Sequence, residues 1–253
     1  MGLTQLNFEG KNKVEVAIMR FQQFEPPAGY YLAFSGGKDS VVIYDLAEKA
    51  GGKFDAHYNR TGIDPPELVY FIRDKYPGMI WEKPKENIWK LIERKGMPRR
   101  QSRFCCEYLK EHTGDGRVVV TGIRWQESGR RRRRHMSETC IKGRGKRFLH
   151  PIIDWTEADI WEYIKAENLP YCSLYDEGFK RLGCVLCPMV RDTKRQIERW
   201  PKIAEAWRRA CTRYYNKGSE GVKRWPTDGA MWEWWLDRDA PALKDNEVEP
   251  RFI

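Results

Sequence analysis

The fold of this 253-residue chain is decided by one stretch, Gly29-Tyr30-Tyr31-Leu32-Ala33-Phe34-Ser35-Gly36-Gly37-Lys38-Asp39-Ser40. Residues 29–34 form a short apolar and aromatic run, which is typical of a buried strand. A glycine pair follows this run, and residues 39–50 then carry apolar side chains at helical spacing. The stretch therefore predicts a strand, a tight loop and a helix in direct succession.

The loop between that strand and that helix has the composition of a phosphate-binding site. A helix N-terminus offers unpaired backbone N–H groups and a positive dipole end, and glycines let a phosphate approach them closely. Lys38 adds a positive charge, and Asp39 is suited to hold Mg²⁺ beside a nucleotide, so we expect these two residues to be catalytic. The spacing differs from the Walker A motif, which has more residues between its glycines. An ordinary Gly-Gly turn with solvated polar side chains is the alternative. The expected nucleotide-binding residues of the loop are Ser35, Gly36, Gly37, Lys38, Asp39 and Ser40.

Strand and helix signals alternate along the rest of the N-terminal two thirds. The expected elements are strands at 54–58, 79–81 and 118–120 and helices around 68–72 and over 87–95. This alternation favours an α/β, Rossmann-like fold with a mostly parallel sheet and helices on both faces. Ligands of such sheets bind outside the carboxyl ends of the strands. The loop, the Thr61-Gly62 turn and the Thr121-Gly122 turn all fall at such ends.

The sequence pattern of the later part of the chain predicts helices. A helix is expected over 155–167, with Thr156 as its cap. After Leu182 the chain is basic, rich in tryptophan and helical in pattern, and 196–214 is its clearest helical segment. We therefore divide the chain into an N-terminal segment (1–28), a nucleotide-binding domain (29–190) and a C-terminal helical extension (191–253). The tryptophans of the extension could stack on unpaired bases, but core positions are expected for them. They are Trp200, Trp207, Trp225, Trp232, Trp234 and Trp235.

Composition and charge restrict the class of protein. The mean hydropathy is -0.74, and no apolar run approaches the length of a membrane span. The N-terminus lacks the pattern of a secretory signal, so a cytoplasmic location and no membrane partner are expected. The net charge of +10 and a pI near 9.2 favour polyanionic partners, with simple solubility as the alternative.

Four of the seven cysteines form a pattern that suggests a metal site. They are the tandem pair Cys105-Cys106 and the pair Cys184-Val185-Leu186-Cys187. Thiolates are the soft ligands that iron–sulfur clusters and zinc require. A tandem pair is unusual for zinc, which prefers two spaced pairs, but a structural zinc site and unligated core cysteines remain open. Cys140, Cys172 and Cys211 have no pattern of their own, although Cys140 or Cys172 could be a replacement ligand or a sulfur-carrying thiol.

The densest charge cluster lies between residues 124 and 147. Guanidinium groups suit phosphate geometry, whereas a solvated loop is the alternative explanation for a run of arginines. Arg131 to Arg134 are candidates for contact with a polyanionic second substrate. The cluster comprises Arg124, Arg130 to Arg134, Lys142, Arg144, Lys146 and Arg147.

The loop motif resembles that of the PP-loop adenine nucleotide enzymes, which include ATP pyrophosphatases and the phosphoadenosine phosphosulfate (PAPS) reductases. Further segments between Gly29 and Cys187 are similar to the PAPS reductase branch. They are Asn59-Arg60-Thr61-Gly62 with Pro66-Glu67, Thr121-Gly122-Ile123-Arg124 with Glu127-Ser128 and Arg130, and Pro151-Ile152-Ile153-Asp154-Trp155 with Asp159-Ile160-Trp161. Arg60 departs from the aspartate that is usual at its position.

The resemblance implies a fold and a set of site residues. The implied fold is a HUP-type, Rossmann-like domain. The implied nucleotide contacts beyond the loop are Thr61, Gly62, Gly122, Arg124, Glu127 and Arg130. The set Cys105, Cys106, Cys184 and Cys187 resembles the [4Fe-4S] ligands of adenosine phosphosulfate (APS) reductases. The implied cofactors are thus ATP with Mg²⁺ and a [4Fe-4S] cluster, with zinc as the alternative at the cysteines.

Three functions are compatible with these motifs. The first uses ATP to adenylate a substrate for sulfur transfer, with tRNA, DNA or a small molecule as acceptor and a sulfur-donor protein as a further partner. The second is reduction of APS or PAPS, but those reductases use a C-terminal Glu-Cys-Gly-Leu-His segment, whereas this sequence ends in Glu249–Ile253 with no cysteine beyond Cys211. They also usually carry a degraded loop, and this loop is complete. The third is a non-catalytic nucleotide-binding subunit of a nucleic-acid modification complex.

Overall fold

The computed structural model describes residues 2, 3, 5, 6, 10–140 and 145–237. Lys142, Arg144 and the segment Glu249–Ile253 lie outside the described residues. The chain folds into two compact units that interleave along the sequence. The sheet unit contains the chain up to Arg60, Pro66–Lys83 and His112–Gly183, and the helical unit contains Thr61–Pro65, Pro84–Glu111 and the chain from Cys184 onward.

The sheet unit is built on a sheet that has six strands in the part of the chain that the structure describes. They are β1 (Tyr30–Phe34), β2 (Phe54–Asn59), β3 (Ile80–Glu82), β4 (Val118–Val120), β5 (Ser137–Thr139) and β6 (Arg147–Leu149). The strand order is β3-β2-β1-β4-β6-β5. All neighbouring strands are parallel except β5 and β6. The expected mostly parallel sheet is confirmed, and β1 lies near its centre, where Leu32 pairs with Ala56 on one side and Val120 on the other.

The described residues contain ten α-helices. They are α1 (Lys13–Gln23), α2 (Lys38–Ala50), α3 (Pro66–Lys75), α4 (Ile88–Lys95), α5 (Phe104–Leu109), α6 (Gly129–Arg132), α7 (Glu157–Ala166), α8 (Thr193–Arg199), α9 (Pro201–Asn216) and α10 (Asp228–Leu236). The sheet unit contains α1, α2, α3, α6 and α7, and the helical unit contains the other five. None of the helices that the structure describes is both long enough and apolar enough to cross a membrane.

The core of the sheet unit explains the order of its first elements. Tyr30, Leu32 and Phe34 of β1 are buried, and α2 buries its apolar stripe through Val42 and Leu46. The Tyr30 hydroxyl donates a hydrogen bond of 2.6 Å to the Phe21 carbonyl and so connects β1 to α1. These contacts fix the end of β1 and the start of α2, between which the loop lies.

The helical unit refines one prediction. The helical segment expected over 196–214 is divided into two helices, which meet at Trp200 and Pro201. Proline has no N–H to donate, and its ring disfavours helical geometry in the residue before it. Trp200 accordingly has φ of -130° and ψ of 63°, while Pro201 takes the first position of α9.

Tryptophans form much of the core of the helical unit. Trp200, Trp207 and Trp235 are buried, as expected, whereas the other three tryptophans of the extension are partly exposed. The rings of Trp207 and Trp235 stack with their centroids 5.0 Å apart. Their indole N–H groups donate to the carbonyls of Val185 and Pro98 at 3.1 and 2.7 Å, so neither polar atom is buried without a partner.

Candidate functional site

The loop after β1 presents the N-terminus of α2 without a capping side chain. Gly37 is the N-cap residue and has no side chain to cap the helix, so the N–H groups of Lys38 and Asp39 have no partner within the helix. Gly36 has φ of +72°, and an added Cβ would lie 2.7 Å from Leu68 Cδ1 and 2.8 Å from Ile72 Cδ1. Only glycine satisfies both the left-handed backbone and this close approach of α3.

Two serine hydroxyls stabilise the loop from within. Ser40 Oγ donates to the Gly37 carbonyl at 2.7 Å, and Ser35 Oγ lies 3.3 Å from Ser40 Oγ. The Gly37 N–H donates to Ser35 Oγ over a longer 3.4 Å. The predicted loop residues are thus brought together by their own hydrogen bonds.

Lys38 is a buried cation at the first position of α2. Its side chain is only 6% exposed, and its Nζ lies 3.3 Å from Glu157 Oε1 and 3.6 Å from Asp39 Oδ2. Its backbone N–H donates to the Tyr175 hydroxyl at 2.9 Å. A buried charge is costly unless it has partners, so these carboxylates hold the ammonium group beside the loop.

Arg124 joins the loop to the start of α7. Its Nε donates to Asp39 Oδ1 at 2.6 Å, and its Nη2 donates to Glu157 Oε2 at 2.8 Å. Burial disfavours the charge of Arg124, but Asp39, Glu127 and Glu157 together outweigh this effect and raise the pKa of Arg124. An added Cβ on Gly122 would lie 2.9 Å from Asp39 Cβ, so a glycine is required there for the Arg124 segment to reach α2.

The structure brings together most of the predicted nucleotide residues but not all. Lys38, Asp39, Gly122 and Arg124 form one cluster in the sheet unit, and Glu127 contacts it by accepting the Arg124 N–H at 2.9 Å. Of the other predicted contacts, Arg130 is exposed on α6, and Thr61 and Gly62 belong to the helical unit.

Two residues of the cluster were not predicted from the sequence. Glu157 is the first residue of α7, and its acidic character after the cap Thr156 is a signal that could have indicated it. Tyr175 lies in a short 3-10 turn, Ser173–Tyr175, and no feature of the sequence indicates that its hydroxyl reaches the Lys38 N–H.

The four patterned cysteines all lie in the helical unit. Cys105 and Cys106 are on α5, and Cys184 and Cys187 are joined by a turn in which the Cys187 N–H donates to the Cys184 carbonyl at 3.3 Å. None of the four forms a disulfide. The Cys105 thiol donates a hydrogen bond to the Cys106 sulfur, which raises the pKa of Cys105 and lowers the pKa of Cys106 to about 6.

The second pair of cysteines interacts electrostatically with the first pair and with the cation Lys110. Cys105 interacts electrostatically with both Cys184 and Cys187. Burial raises the pKa of Cys184 to about 12, opposed by the positive charge of Lys110 and by a hydrogen bond from Thr61. In the described part of the chain, no group of three or more His, Cys, Asp or Glu side chains has the geometry of a site for a metal ion. The fit of these residues to a metal or cluster therefore rests on the chemistry of four neighbouring thiols.

The Thr61-Gly62 turn packs beside these cysteines. The Thr61 hydroxyl donates to Asp64 Oδ2 at 2.7 Å, and the Val185 N–H donates to the Ile63 carbonyl at 2.8 Å. The turn predicted as a nucleotide contact is thus hydrogen-bonded to the turn that carries Cys184. The unpatterned Cys172 and Cys211 are buried, and Cys140 is partly exposed.

Comparisons with known proteins agree with this architecture. Residues 29–190 match the model of the phosphoadenosine phosphosulfate reductase domain. The chain is 31% identical over 245 residues to an uncharacterized protein of Methanocaldococcus jannaschii, which covers 90% of this chain. It spans only 50% of that relative, about half its length.

Two further proteins are similar to the chain. Adenosine 5'-phosphosulfate reductase 2 of Bacillus subtilis is 26% identical over 170 residues, covering 62% of this chain and 71% of the relative. The crystal structure of the PAPS reductase of Candida auris in a phosphate complex superposes with a TM-score of 0.53 at 21% identity, covering 72% of this chain and 98% of that one. The structural likeness confirms the predicted fold.

Proposed function

The chain belongs to the phosphoadenosine phosphosulfate reductase domain family, and from this premise we propose that it binds ATP at Ser35–Ser40 and adenylates an acceptor for sulfur transfer. The observation that supports this proposal is the N-terminus of α2, which begins at the N-cap Gly37 and lies beside the buried Lys38. Backbone N–H groups and a fixed cation at one point suit the two phosphates of a pyrophosphate. The complete loop therefore favours a nucleotide that carries one.

The proposed reaction is attack of an acceptor oxygen on the α-phosphate of ATP. The acceptor loses its proton, a bond forms between its oxygen and the α-phosphorus, and the bond from that phosphorus to the bridging oxygen breaks. Pyrophosphate leaves with the bonding electrons. Lys38 and the loop N–H groups stabilise this developing charge because they are positioned before the reaction begins. Arg124 is positioned to hold the nucleotide once its hydrogen bond to Asp39 is exchanged for one to phosphate.

Asp39 is the proposed magnesium ligand of the cluster. The Asp39 side chain is 23% exposed, and its Oδ2 is 3.6 Å from Lys38 Nζ, so one carboxylate oxygen fits a cation that is otherwise held by water and phosphates. Mg²⁺ would supply charge neutralisation on the phosphates. Asp39 would thus act on the metal through this oxygen, while its other oxygen holds Arg124 until the nucleotide binds.

The four thiols are proposed to hold a [4Fe-4S] cluster, with zinc as the alternative. Cys105, Cys106, Cys184 and Cys187 would be the ligands. Four cysteine ligands would give the cluster a structural or electrostatic role, whereas a three-cysteine site would leave one iron open to bind sulfur.

The acceptor is proposed to be polyanionic. Arg131 and Arg134 form ion pairs with Glu127 and Glu138. Arg132 and Arg133 are exposed, and neither forms an ion pair within the part of the chain that the structure describes. Two consecutive unpaired guanidinium groups suit the phosphates of tRNA or DNA, and a sulfur-donor protein would be a further partner.

A second candidate function is reduction of APS or PAPS. It is favoured by the similarity to the Bacillus subtilis protein, whose name states that it is an adenosine 5'-phosphosulfate reductase. The two candidates differ in their nucleotide, because a sulfonucleotide has no pyrophosphate to release. Product analysis therefore separates them.

One set of assays tests the proposed function. The protein is purified anaerobically and assayed for pyrophosphate release from ATP, with and without tRNA or DNA. We expect release that Lys38→Ala abolishes and that the exposed control Lys53→Ala retains. Sulfite formation from APS or PAPS with thioredoxin would favour the second candidate. Lys38-dependent ATP binding with no release under any condition would indicate a non-catalytic subunit.

The cluster is tested separately by iron and sulfide analysis of the same preparation. We expect both elements in the wild-type protein and their loss in Cys105→Ser and Cys184→Ser. Cys211→Ser is the control, because this cysteine lies outside the set and is a candidate neither for a ligand nor for a sulfur carrier. Stoichiometric zinc with no sulfide would show that the four cysteines hold zinc instead of an iron–sulfur cluster.

A further inference from the structure

Tyr175 makes a contact that neither catalysis nor folding of the loop explains. Its hydroxyl accepts the Lys38 N–H at 2.9 Å and lies 3.4 Å from the position of an added Cβ on Gly37. The N–H groups at the start of a helix are those that a bound phosphate accepts. The hydroxyl oxygen therefore stands where a phosphate oxygen would stand.

The side chain of Tyr175 is held in this position by aromatic neighbours. Its ring packs edge-on against Trp161 at 5.2 Å and against Tyr171 at 6.4 Å between centroids. Lys38 Nζ lies 5.4 Å from the Tyr175 ring centroid. Burial raises the pKa of Tyr175, so the hydroxyl stays protonated and its oxygen accepts the N–H as a neutral group.

We propose that Tyr175 is a specificity-determining residue of the phosphate loop, whose hydroxyl holds the Lys38 N–H until a pyrophosphate group displaces it. The proposal rests on the proposed binding of ATP at this loop. A nucleotide that ends at its α-phosphate does not need this N–H and leaves Tyr175 in place. A nucleotide with a pyrophosphate must break the hydrogen bond to gain its own, so Tyr175 weakens the binding of ATP and of free pyrophosphate selectively.

The substitution Tyr175→Phe tests this role with little change in packing. The ring and its contacts with Trp161 and Tyr171 are kept, and only the competing oxygen is removed. Tyr171→Phe is the matched control, because it removes a neighbouring hydroxyl that bonds to Asp176 instead of to the loop. Dissociation constants for ATP, pyrophosphate and AMP are measured by calorimetry on the full chain, and thermal unfolding verifies that each variant is folded.

We expect Tyr175→Phe to bind ATP and pyrophosphate about 2- to 10-fold more tightly, the range that corresponds to one net hydrogen bond. Its affinity for AMP should stay at the wild-type value, as should all three affinities of Tyr171→Phe. Weaker ATP binding by Tyr175→Phe would overturn the proposal, because the hydroxyl would then be a phosphate ligand. Equal changes for ATP and AMP, or none, would also overturn it.

The same measurements distinguish a failure of this proposal from a failure of the proposed function. If ATP binding depends on Lys38 but does not change in Tyr175→Phe, the proposed role of Tyr175 fails and the proposed function stands. If neither the wild-type protein nor Tyr175→Phe binds ATP or pyrophosphate, both proposals fail.

Discussion

Gly36 is the loop residue at which a substitution is expected to cost the most stability. A side chain there meets two separate costs: a backbone with φ of +72° and a Cβ within 2.9 Å of Leu68 and Ile72. The left-handed backbone alone costs an L-residue roughly 1–2 kcal/mol. We expect Gly36→Ala to lose more free energy of unfolding than this, measured by urea denaturation, and to lose ATP binding.

Gly51 provides the control for Gly36. It also has φ of +72°, but an added Cβ there would have nothing within 4 Å. Gly51→Ala should therefore show the backbone cost alone, about 1 kcal/mol, and keep ATP binding. Equal losses of stability in the two variants would contradict the steric part of the argument.

His150 should make the stability of the fold sensitive to mild acid. It is fully buried, and burial and the neighbouring Arg134 lower its pKa from 6.5 to about 4. Arg134 Nη2 lies 3.3 Å from its Nε2, Glu138 Oε1 lies 3.4 Å from the same atom, and Thr121 Oγ1 is 2.7 Å from its Nδ1. The ring is therefore neutral in the folded protein.

The sign of the effect follows from where each state binds the proton. In the unfolded chain His150 takes up a proton below about pH 6.5, whereas in the folded chain it does so only below about pH 4. The free energy of unfolding therefore decreases as the pH is lowered from about 6.5 to about 4, and His150 does not change it above about pH 6.5. The loss approaches about 3 kcal/mol at the acid end of this window. Urea titrations from pH 7.5 to 4 should show this component in the wild-type protein and not in His150→Gln. Parallel curves for the two proteins would refute the assignment.

The residues of the site differ in how far the sequence could indicate them. Lys38, Asp39 and Arg124 lie in motifs, and the structure places them together. Glu157 and Tyr175 contact the same loop from positions more than 100 residues later in the chain. Such contacts depend on tertiary packing, which local spacing does not encode, so the partners of the motif residues could not be predicted with them.

At the scale of elements, the start of α7 supports the site. Thr156 caps the helix in a reciprocal box in which its Oγ1 accepts the Asp159 N–H at 3.2 Å and its own N–H donates to Asp159 Oδ2 at 2.6 Å. The next residue is Glu157, which pairs with Lys38 and Arg124. The cap therefore positions the carboxylate that holds both cations.

Thr156→Ala should have two effects. Loss of the cap should cost about 1 kcal/mol of the free energy of unfolding. ATP binding should also weaken, because the first turn of α7 no longer fixes Glu157. Thr227→Ala is the control, since Thr227 caps α10 through the Ala230 N–H at 3.1 Å and belongs to the helical unit. It should show the loss of stability with unchanged ATP affinity, as measured by urea denaturation and calorimetry. An equal weakening of ATP binding in both variants would contradict the claim that the Thr156 cap positions Glu157 for ATP binding.

The elements that were predicted well carry strong periodic or compositional signals. β1 and α2 are bounded by glycines, and α7 has its expected cap. β5 and β6 were not expected, because three residues are too few to show an alternating pattern. The division of 196–214 followed from Pro201, whose effect on the preceding residue outweighs the apolar periodicity on either side of it.

At the scale of the molecule, the two units interleave in a way that linear patterns do not reveal. The helical unit takes Thr61–Pro65 and Pro84–Glu111 from within the stretch predicted as one nucleotide-binding domain. This arrangement brings Cys105 and Cys106 into the same unit as Cys184 and Cys187. The spacing of the cysteines indicated that the four belong together, but not that the Thr61 turn joins them.

The net charge of +10 leads to the last prediction, which concerns a polyanionic acceptor. Binding of nucleic acid releases counterions, so the logarithm of the binding constant falls linearly with the logarithm of the salt concentration. Arg132 and Arg133 are exposed and available for phosphates. Replacing both with alanine should reduce the magnitude of this slope by about 1 to 2 and weaken binding similarly for all sequences.

The matched control removes the same charge from another exposed surface. Arg73→Ala with Lys75→Ala takes two positive charges from the end of α3. If the net charge alone attracts the acceptor, both double variants should weaken the binding of a labelled single strand equally. If the arginines bind phosphates directly, only Arg132→Ala with Arg133→Ala should change the slope, because counterion release depends on the contacts formed at the site. An unchanged slope in that variant would exclude these arginines as the site of a nucleic-acid acceptor and leave a small-molecule acceptor as the alternative.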